Sequence, residues 1–174
     1  MRPTQTPTPA DPDAWNAYLA EGNAKQARKR VAADVLLRDA AGRVLLVNPT
    51  YKPGWDLPGG MAESNEAPED AVRRELVEEL GLHLTLRGLL VVDWVAPHGP
   101  WDDQLAFIFD GGTLDQDQAD RLRPRDGELS EAAFVPTAEA GLRLRDRIQR
   151  RFEAALLALD TQRPQYLRDG TPAI

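Results

Sequence analysis

Three glutamates, Glu75, Glu78 and Glu79, stand at i, i+3 and i+4 in a segment patterned as a helix. At about 100° per residue, such positions share one arc of roughly 100°. Val72, Leu76 and Leu80 form an apolar stripe beside them, so the helix buries one face and presents three carboxylates next to it. Like charges at this spacing destabilise a helix until a cation relieves them. Hard divalent cations take oxygen ligands from carboxylates, backbone carbonyls and substrate phosphates. With no cysteine and two histidines, Mg2+ or Mn2+ is favoured over Zn2+. Leu57-Pro58-Gly59-Gly60 leads into this segment, and paired glycines let a main chain approach an ion or a phosphate closely.

The charge distribution makes the same segment stand out. The 174 residues include 21 basic and 28 acidic ones, a net charge of −7. Between Gly60 and Leu82 seven acids face only Arg73 and Arg74, so this stretch holds −5 of that total. An acidic balance argues against binding a nucleic-acid polymer through a general basic face. The lack of cysteine excludes disulfides, thiolate zinc sites and cysteine nucleophiles. No apolar run is long enough to span a membrane, and no basic start precedes an apolar leader. A reducing, cytoplasmic setting is therefore expected, and the length suits one domain.

The elements that must position these groups follow from patterning. Residues 1–10, rich in Thr and Pro, read as a disordered tail, and Asp11-Pro12 opens a helix running to about Arg30 with Trp15 and Leu19 on one face. Lys25, Arg28, Lys29 and Arg30 would end that helix favourably for its dipole. Val31 to Arg38 and Arg43 to Val47 read as a hairpin, and Asn48 to Pro58 as a loop. Ala67 to Leu80 is a helix with Pro68 in its first turn and Gly81 just past its end. Leu82, Leu84 and Leu86 alternate as a strand continuing through Leu89 to Val95. Leu105 to Phe109 is a strand that Asp110-Gly111-Gly112 should end, residues 114–125 are a loop with a short helix, and Leu129 to Val135 is a strand. Leu144, Ile148, Phe152 and Leu156 mark one amphipathic helix, with the arginines at 143, 145, 147, 150 and 151 on its solvated face. Mixed strands and helices give an α/β or α+β sandwich, with residues 161–174 left as a tail.

Gly60, Glu66, Arg74, Glu75, Glu78, Glu79 and Gly81 fit the pattern G-x5-E-x7-R-E-U-x-E-E-x-G-U, where U is a large aliphatic, here Leu76 and Leu82. At about 7% usage per residue type, seven matches at one start are about a 10⁻⁸ event. The segment resembles the Nudix hydrolase signature, and the order of elements is similar to that family from Val31 to Asp160. The resemblance implies an α/β/α sandwich with a mixed sheet, in which the box is a loop–helix–loop. It implies a hydrolase that breaks a phosphoanhydride in a nucleoside diphosphate linked to another moiety, using Mg2+ or Mn2+. It makes Glu75, Glu78 and Glu79 the metal-ligand positions, with the Gly60 carbonyl in support, and Glu66 and Arg74 the pair that holds the loop to the helix. A carboxylate must take the proton of the attacking water. In the family this is a glutamate of the box, here Glu75 or Glu78, or one on a later loop, for which Glu128 is the candidate and Asp126 and Glu131 compete.

Groups for the rest of the substrate lie outside the box. Trp55 either stacks on a base or packs in the core, with packing the better reading. His98 and Trp101, in the turn-rich loop from Trp94 to Asp103, are candidate ring contacts. Pro97, 15 positions after Leu82, resembles a hint of ADP-ribose hydrolases in the family. Arg43 and Lys52 are possible phosphate contacts. The alternatives are a non-catalytic Nudix-fold ligand-binding module and a prenyl-diphosphate or sugar-nucleotide hydrolase; a cysteine-dependent isomerase of the same fold is excluded. The expected partner is a small phosphoanhydride substrate, with a homodimer open through the N-terminal helix.

Overall fold

The computed structural model describes residues 6–174, so residues 1–5 of the expected tail lie outside the described residues. The chain runs α1 (Pro12–Ala24), β1 (Arg30–Arg38), β2 (Val44–Pro49), β3 (Gly59–Met61), α2 (Pro68–Leu80), β4 (Gly88–Val95), β5 (Gln104–Thr113), α3 (Gln116–Arg121), β6 (Leu129–Val135), α4 (Thr137–Arg143), α5 (Asp146–Thr161), β7 (Gln165–Arg168) and β8 (Thr171–Pro172). One mixed sheet has the order β6-β2-β1-β5-β4-β7-β8, with β3 paired to β1. β1 runs parallel to β5 and β4 parallel to β7, and the other pairings are antiparallel.

Both faces of the sheet are covered, which explains the largely apolar runs of β1 and β2. Val35, Leu37, Leu45 and Val47 point to α2, where Ala71, Val72, Leu76 and Leu80 meet them. Leu36, Val44 and Leu46 point the other way, to Phe152, Ala155 and Ala158 of α5. The architecture is the expected α/β/α sandwich, with α2 and α5 as its outer layers. The buried Asp93 of β4 accepts from Arg151 Nε of α5 at 2.6 Å and from the Gly170 N–H at 3.0 Å. This ties α5 to the sheet and to the β7–β8 turn.

Several boundaries differ from expectation. α1 stops at Ala24 and buries no residue, so no packed face carries it to Arg30. Arg30 instead opens β1 opposite Gln104, its N–H on the Asp103 carbonyl. Residues 82–87 form no strand: the places beside β4 belong to β5 and β7, although Leu82, Leu84 and Leu86 still pack on the α2-side core. β5 continues through Gly111 and Gly112, where a bulge opposite Leu36/Leu37 brings Gly111 so close that a β-carbon would stand 2.6 Å from Val35 Cγ2. Leu144 caps α4 rather than belonging to α5, so the apolar stripe crosses two helices. Residues 161–174 supply β7, β8 and the fully buried Leu167.

Candidate active site

β3 and α2 bring the main chain at Gly59-Gly60 against the carboxylates. Gly59 lies opposite Asp34 and Gly60 opposite Ala33 in the β1–β3 pairing. Gly59 has φ +141°, and a β-carbon there would stand 2.2 Å from the Ala33 carbonyl oxygen. A β-carbon on Gly60 would stand 2.5 Å from Cδ and Oε1 of Glu75. Only glycine leaves room for this approach. α2 ends at Gly81 in the left-handed conformation, φ 62°, where a side chain would meet the Arg125 guanidinium.

Arg74 organises the loop before α2. Its Nε and Nη2 donate to the two oxygens of Glu66 at 2.9 and 3.0 Å, and Nη2 also reaches the Met61 carbonyl at 3.0 Å. Its Nη1 donates to Glu75 at 2.9 Å and Glu78 at 3.1 Å. The Glu63 N–H completes Glu66 at 2.7 Å. The fork of Arg74 holds the Glu66 carboxyl below its usual range.

The cleft beside this box holds about 1120 Å³ and is lined by Asp34, Asp56, Gly60, Glu75, Glu79 and Glu128 on its acidic side. Glu79 is 5% exposed, and its Oε2 has no hydrogen-bond partner. Burial first, then the charges of Glu75, Asp126, Glu128 and Asp34, push its pKa up to about 8. Burial also raises Glu75, against the pull of Arg74. Asp34 is pushed up to about 7 by burial and then by Asp56. Among the described residues no three acidic or imidazole side chains are already drawn in at ligand spacing; the carboxylates repel one another, and Arg74 engages Glu75 and Glu78. An orphaned, buried carboxylate oxygen among further acids, beside a bare glycine main chain, nevertheless fits a hard divalent cation.

The loop before β6 completes this wall. The Arg125 N–H donates to the Glu79 carbonyl at 2.8 Å, Glu128 donates its N–H to Asp126 Oδ1 at 3.0 Å, and the Glu128 carbonyl accepts from the Thr50 N–H at 2.8 Å. These bonds hold Glu128 beside the C-terminal end of α2. At the mouth, His98 and Trp101 exchange main-chain hydrogen bonds at 3.0 Å across a tight turn. Trp101 is 55% exposed, with the Arg30 guanidinium 4.6 Å from its ring centre.

The cleft therefore gathers Gly60, Glu75, Glu79, Glu128, His98, Trp101 and Lys52 from the residues singled out in the sequence. Glu78 is exposed outside the lining and is held by Arg74. Trp55 packs against the α5-side core under Arg143, as the packing reading expects, and does not line the cleft. Arg43 pairs with Asp39 in the hairpin, and Glu131 and Pro97 are exposed outside the lining. Asp34 was missed, although a lone acid inside the apolar run of β1 was its signal. Asp56 and the α5 arginines were also missed as cleft residues, because their facing depends on how α5 docks.

A NUDIX domain family model matches residues 28–156. An 8-oxo-dGTP diphosphatase of Proteus vulgaris is 38% identical over a 58-residue alignment that covers 23% of this chain and 52% of that protein. An RNA pyrophosphohydrolase of Psychrobacter cryohalolentis is 37% identical over 68 residues, 38% of this chain and 39% of that one. The chain thus spans about half or less of the length of these curated relatives. The crystal structure of a MutT protein from Methanosarcina mazei Go1 superposes with a TM-score of 0.63 at 23% identity, covering 77% of this chain and 99% of that one, and so shares the fold. The chain belongs to the NUDIX family.

Proposed function

On the basis of that family membership, we propose that the chain is a Mg2+- or Mn2+-dependent hydrolase of a phosphoanhydride bond in a nucleoside diphosphate linked to another moiety. The observation that carries this reading is the Glu79 carboxylate, buried, unpartnered on one oxygen and surrounded by further acids at the wall of a cleft. Glu79 and Glu75, with the Gly60 carbonyl, would hold the cation; Glu78 would join by exchanging its bond to Arg74. When bound, the cation would neutralise the acidic wall, polarise phosphoryl oxygens and acidify a water. Glu128 is the proposed base, held at the cleft by bonds at both of its main-chain ends. It would take the proton of the attacking water as one phosphorus–oxygen bond forms and the bridging one breaks, with the phosphate half leaving. Glu66 and Arg74 act indirectly, by holding the loop. His98 and Trp101 are the proposed contacts for a base or another ring. Relatives named 8-oxo-dGTP diphosphatase and RNA pyrophosphohydrolase support a nucleotide pyrophosphate as substrate.

A panel of nucleoside diphosphate derivatives with Mg2+ or Mn2+ tests the reading, with released phosphate, pyrophosphate and mononucleotide followed. Turnover of at least one class, lost in Glu79→Gln and lowered in Glu128→Gln, is expected. No turnover of any compound, with binding retained, would favour a ligand-binding module instead.

A further inference from the structure

Arg147, Arg150 and Arg151 repeat on α5 the i, i+3, i+4 spacing of the three glutamates on α2, with the opposite sign. All three line the same cleft, joined by Arg145 just before the helix and by Lys52. Cations at this spacing repel one another as the glutamates do. In a chain with 28 acids for 21 bases, such a cluster would readily find acidic partners if it only decorated the surface. It has found few. Arg151 is neutralised by the buried Asp93 at 2.6 Å. Arg145 lies 3.3 Å from Asp56, an acid shared with Lys52 at 2.5 Å. Arg150 reaches only the uncharged carbonyl of Asp169, at 3.2 Å. Arg147, half-buried in the lining, makes no ion pair or side-chain hydrogen bond among the described residues. Arg143, outside the lining, instead pairs with Glu139 at 2.5 Å and lies over Trp55.

The cleft thus gathers both signs, acids on α2 and beside it and bases on α5, with Asp56 joining the two through Lys52 and Arg145. The acids can meet a phosphate only through cations. The arginines can meet one directly, because a guanidinium fork matches a phosphoryl group. A substrate whose distal half is a neutral sugar would leave Arg147 and Arg150 facing nothing, and sites built to pair such groups discriminate strongly against analogues lacking them. Resting on the proposed hydrolase activity, we infer that the preferred substrate carries at least one phosphoryl group beyond the scissile anhydride, as in a nucleoside triphosphate or longer polyphosphate ester, and that Arg147 and Arg150 hold it. This sets the chain apart from hydrolases of ADP-ribose and sugar nucleotides.

The test compares kcat/KM for a free nucleoside triphosphate, a dinucleoside tetraphosphate and a short RNA with a 5′-triphosphate against ADP-ribose. The three polyphosphates separate the possible sources of the group. At least one is expected to exceed ADP-ribose, and in Arg147→Ala that preference should fall at least about tenfold, mostly through KM, as expected for a hydrogen bond to a charged group. Arg147→Lys should recover part of it. A preference for ADP-ribose, or equal losses on both classes, overturns the inference. A second arm needs no turnover. Inorganic tripolyphosphate is titrated calorimetrically into the full chain in EDTA, with thermal melts to check folding. Binding by the parent, weakened at least about tenfold in Arg147→Ala/Arg150→Ala, supports the inference, and equal or absent binding overturns it. If no compound is hydrolysed, the activity reading fails while this arm still decides the role of the arginines.

Discussion

The main chain of Gly60 lies flush against the Glu75 carboxylate, so close that a β-carbon at position 60 would stand 2.5 Å from Glu75 Cδ. The obstructing atoms are the far end of a flexible side chain. Gly60→Ala should therefore fold, with a melting temperature within a few degrees of the parent. It should still lose about 100-fold in kcat, because a shift of about 1 Å in a reacting group is enough for that. Gly59→Ala makes the contrast, since its β-carbon would meet the Ala33 backbone at 2.2 Å at φ +141°. That variant should be strongly destabilised. Melts and steady-state kinetics on the pair separate positioning from folding, and a fully active Gly60→Ala would refute the positioning role.

Arg74 binds Glu66 through two parallel hydrogen bonds and spreads its remaining donors over Met61, Glu75 and Glu78. Lysine keeps the charge but loses the fork. Arg74→Lys should lower stability by about 1–3 kcal/mol, because charged acceptors are left short of partners. It should lower turnover as well, because the loop carrying Gly60 loses its anchor. Urea midpoints measure the first effect, and a midpoint equal to the parent's would remove the structural role.

Glu79, Glu75 and Asp34 all have pKa values raised by burial, Glu79 to about 8 and Asp34 to about 7. Groups whose folded pKa lies above the unfolded one bind more protons when folded, so the stability they favour is greatest at low pH and is lost as pH rises. The melting temperature in EDTA should therefore fall between about pH 5 and pH 8. Glu79→Gln should flatten that slope, and saturating Mg2+ should reverse it above pH 7 by taking the place of the proton. An apo melting temperature that rises steadily over this range contradicts the assignment.

Asp93 and Arg151 form a buried ion pair, with side chains 0% and 9% exposed. Asp93→Ala should cost about 3–5 kcal/mol, because it leaves an uncompensated buried guanidinium. It should also loosen α5 and the β7–β8 turn, which Asp93 holds through the Gly170 N–H. Hydrogen exchange of Gly170 and chemical denaturation read the two effects, and a loss below about 1 kcal/mol would show that the pair does not anchor the helix.

Much of the fold was legible because its signals are local. The hairpin of β1 and β2, the start and stop of α2 and the strand before Pro136 depend on proline, glycine and β-branched residues acting over a few positions. The errors fell where a non-local partner decides. Leu82, Leu84 and Leu86 alternate because one side is buried, yet no neighbouring strand is free to pair with them. Gly111 and Gly112 look like a strand end, and they accommodate a bulge inside one. The Leu144 to Leu156 stripe spans two helices because both pack on one core.

The sequence by itself determined the box helix and its three glutamates on one arc, since both follow from local spacing, and the Glu66–Arg74 pair was what the resemblance to the Nudix signature implied. The sequence also put the acidity of the chain in one place. Only the tertiary structure decided which of those glutamates is buried, that Asp34 and Glu128 join Glu79 at the cleft, that Trp55 turns away from it, and that the α5 arginines face it. Burial and facing depend on how β1, the Arg125–Glu128 loop and α5 dock around α2. The long-range contacts that set this docking leave no fixed spacing in the chain.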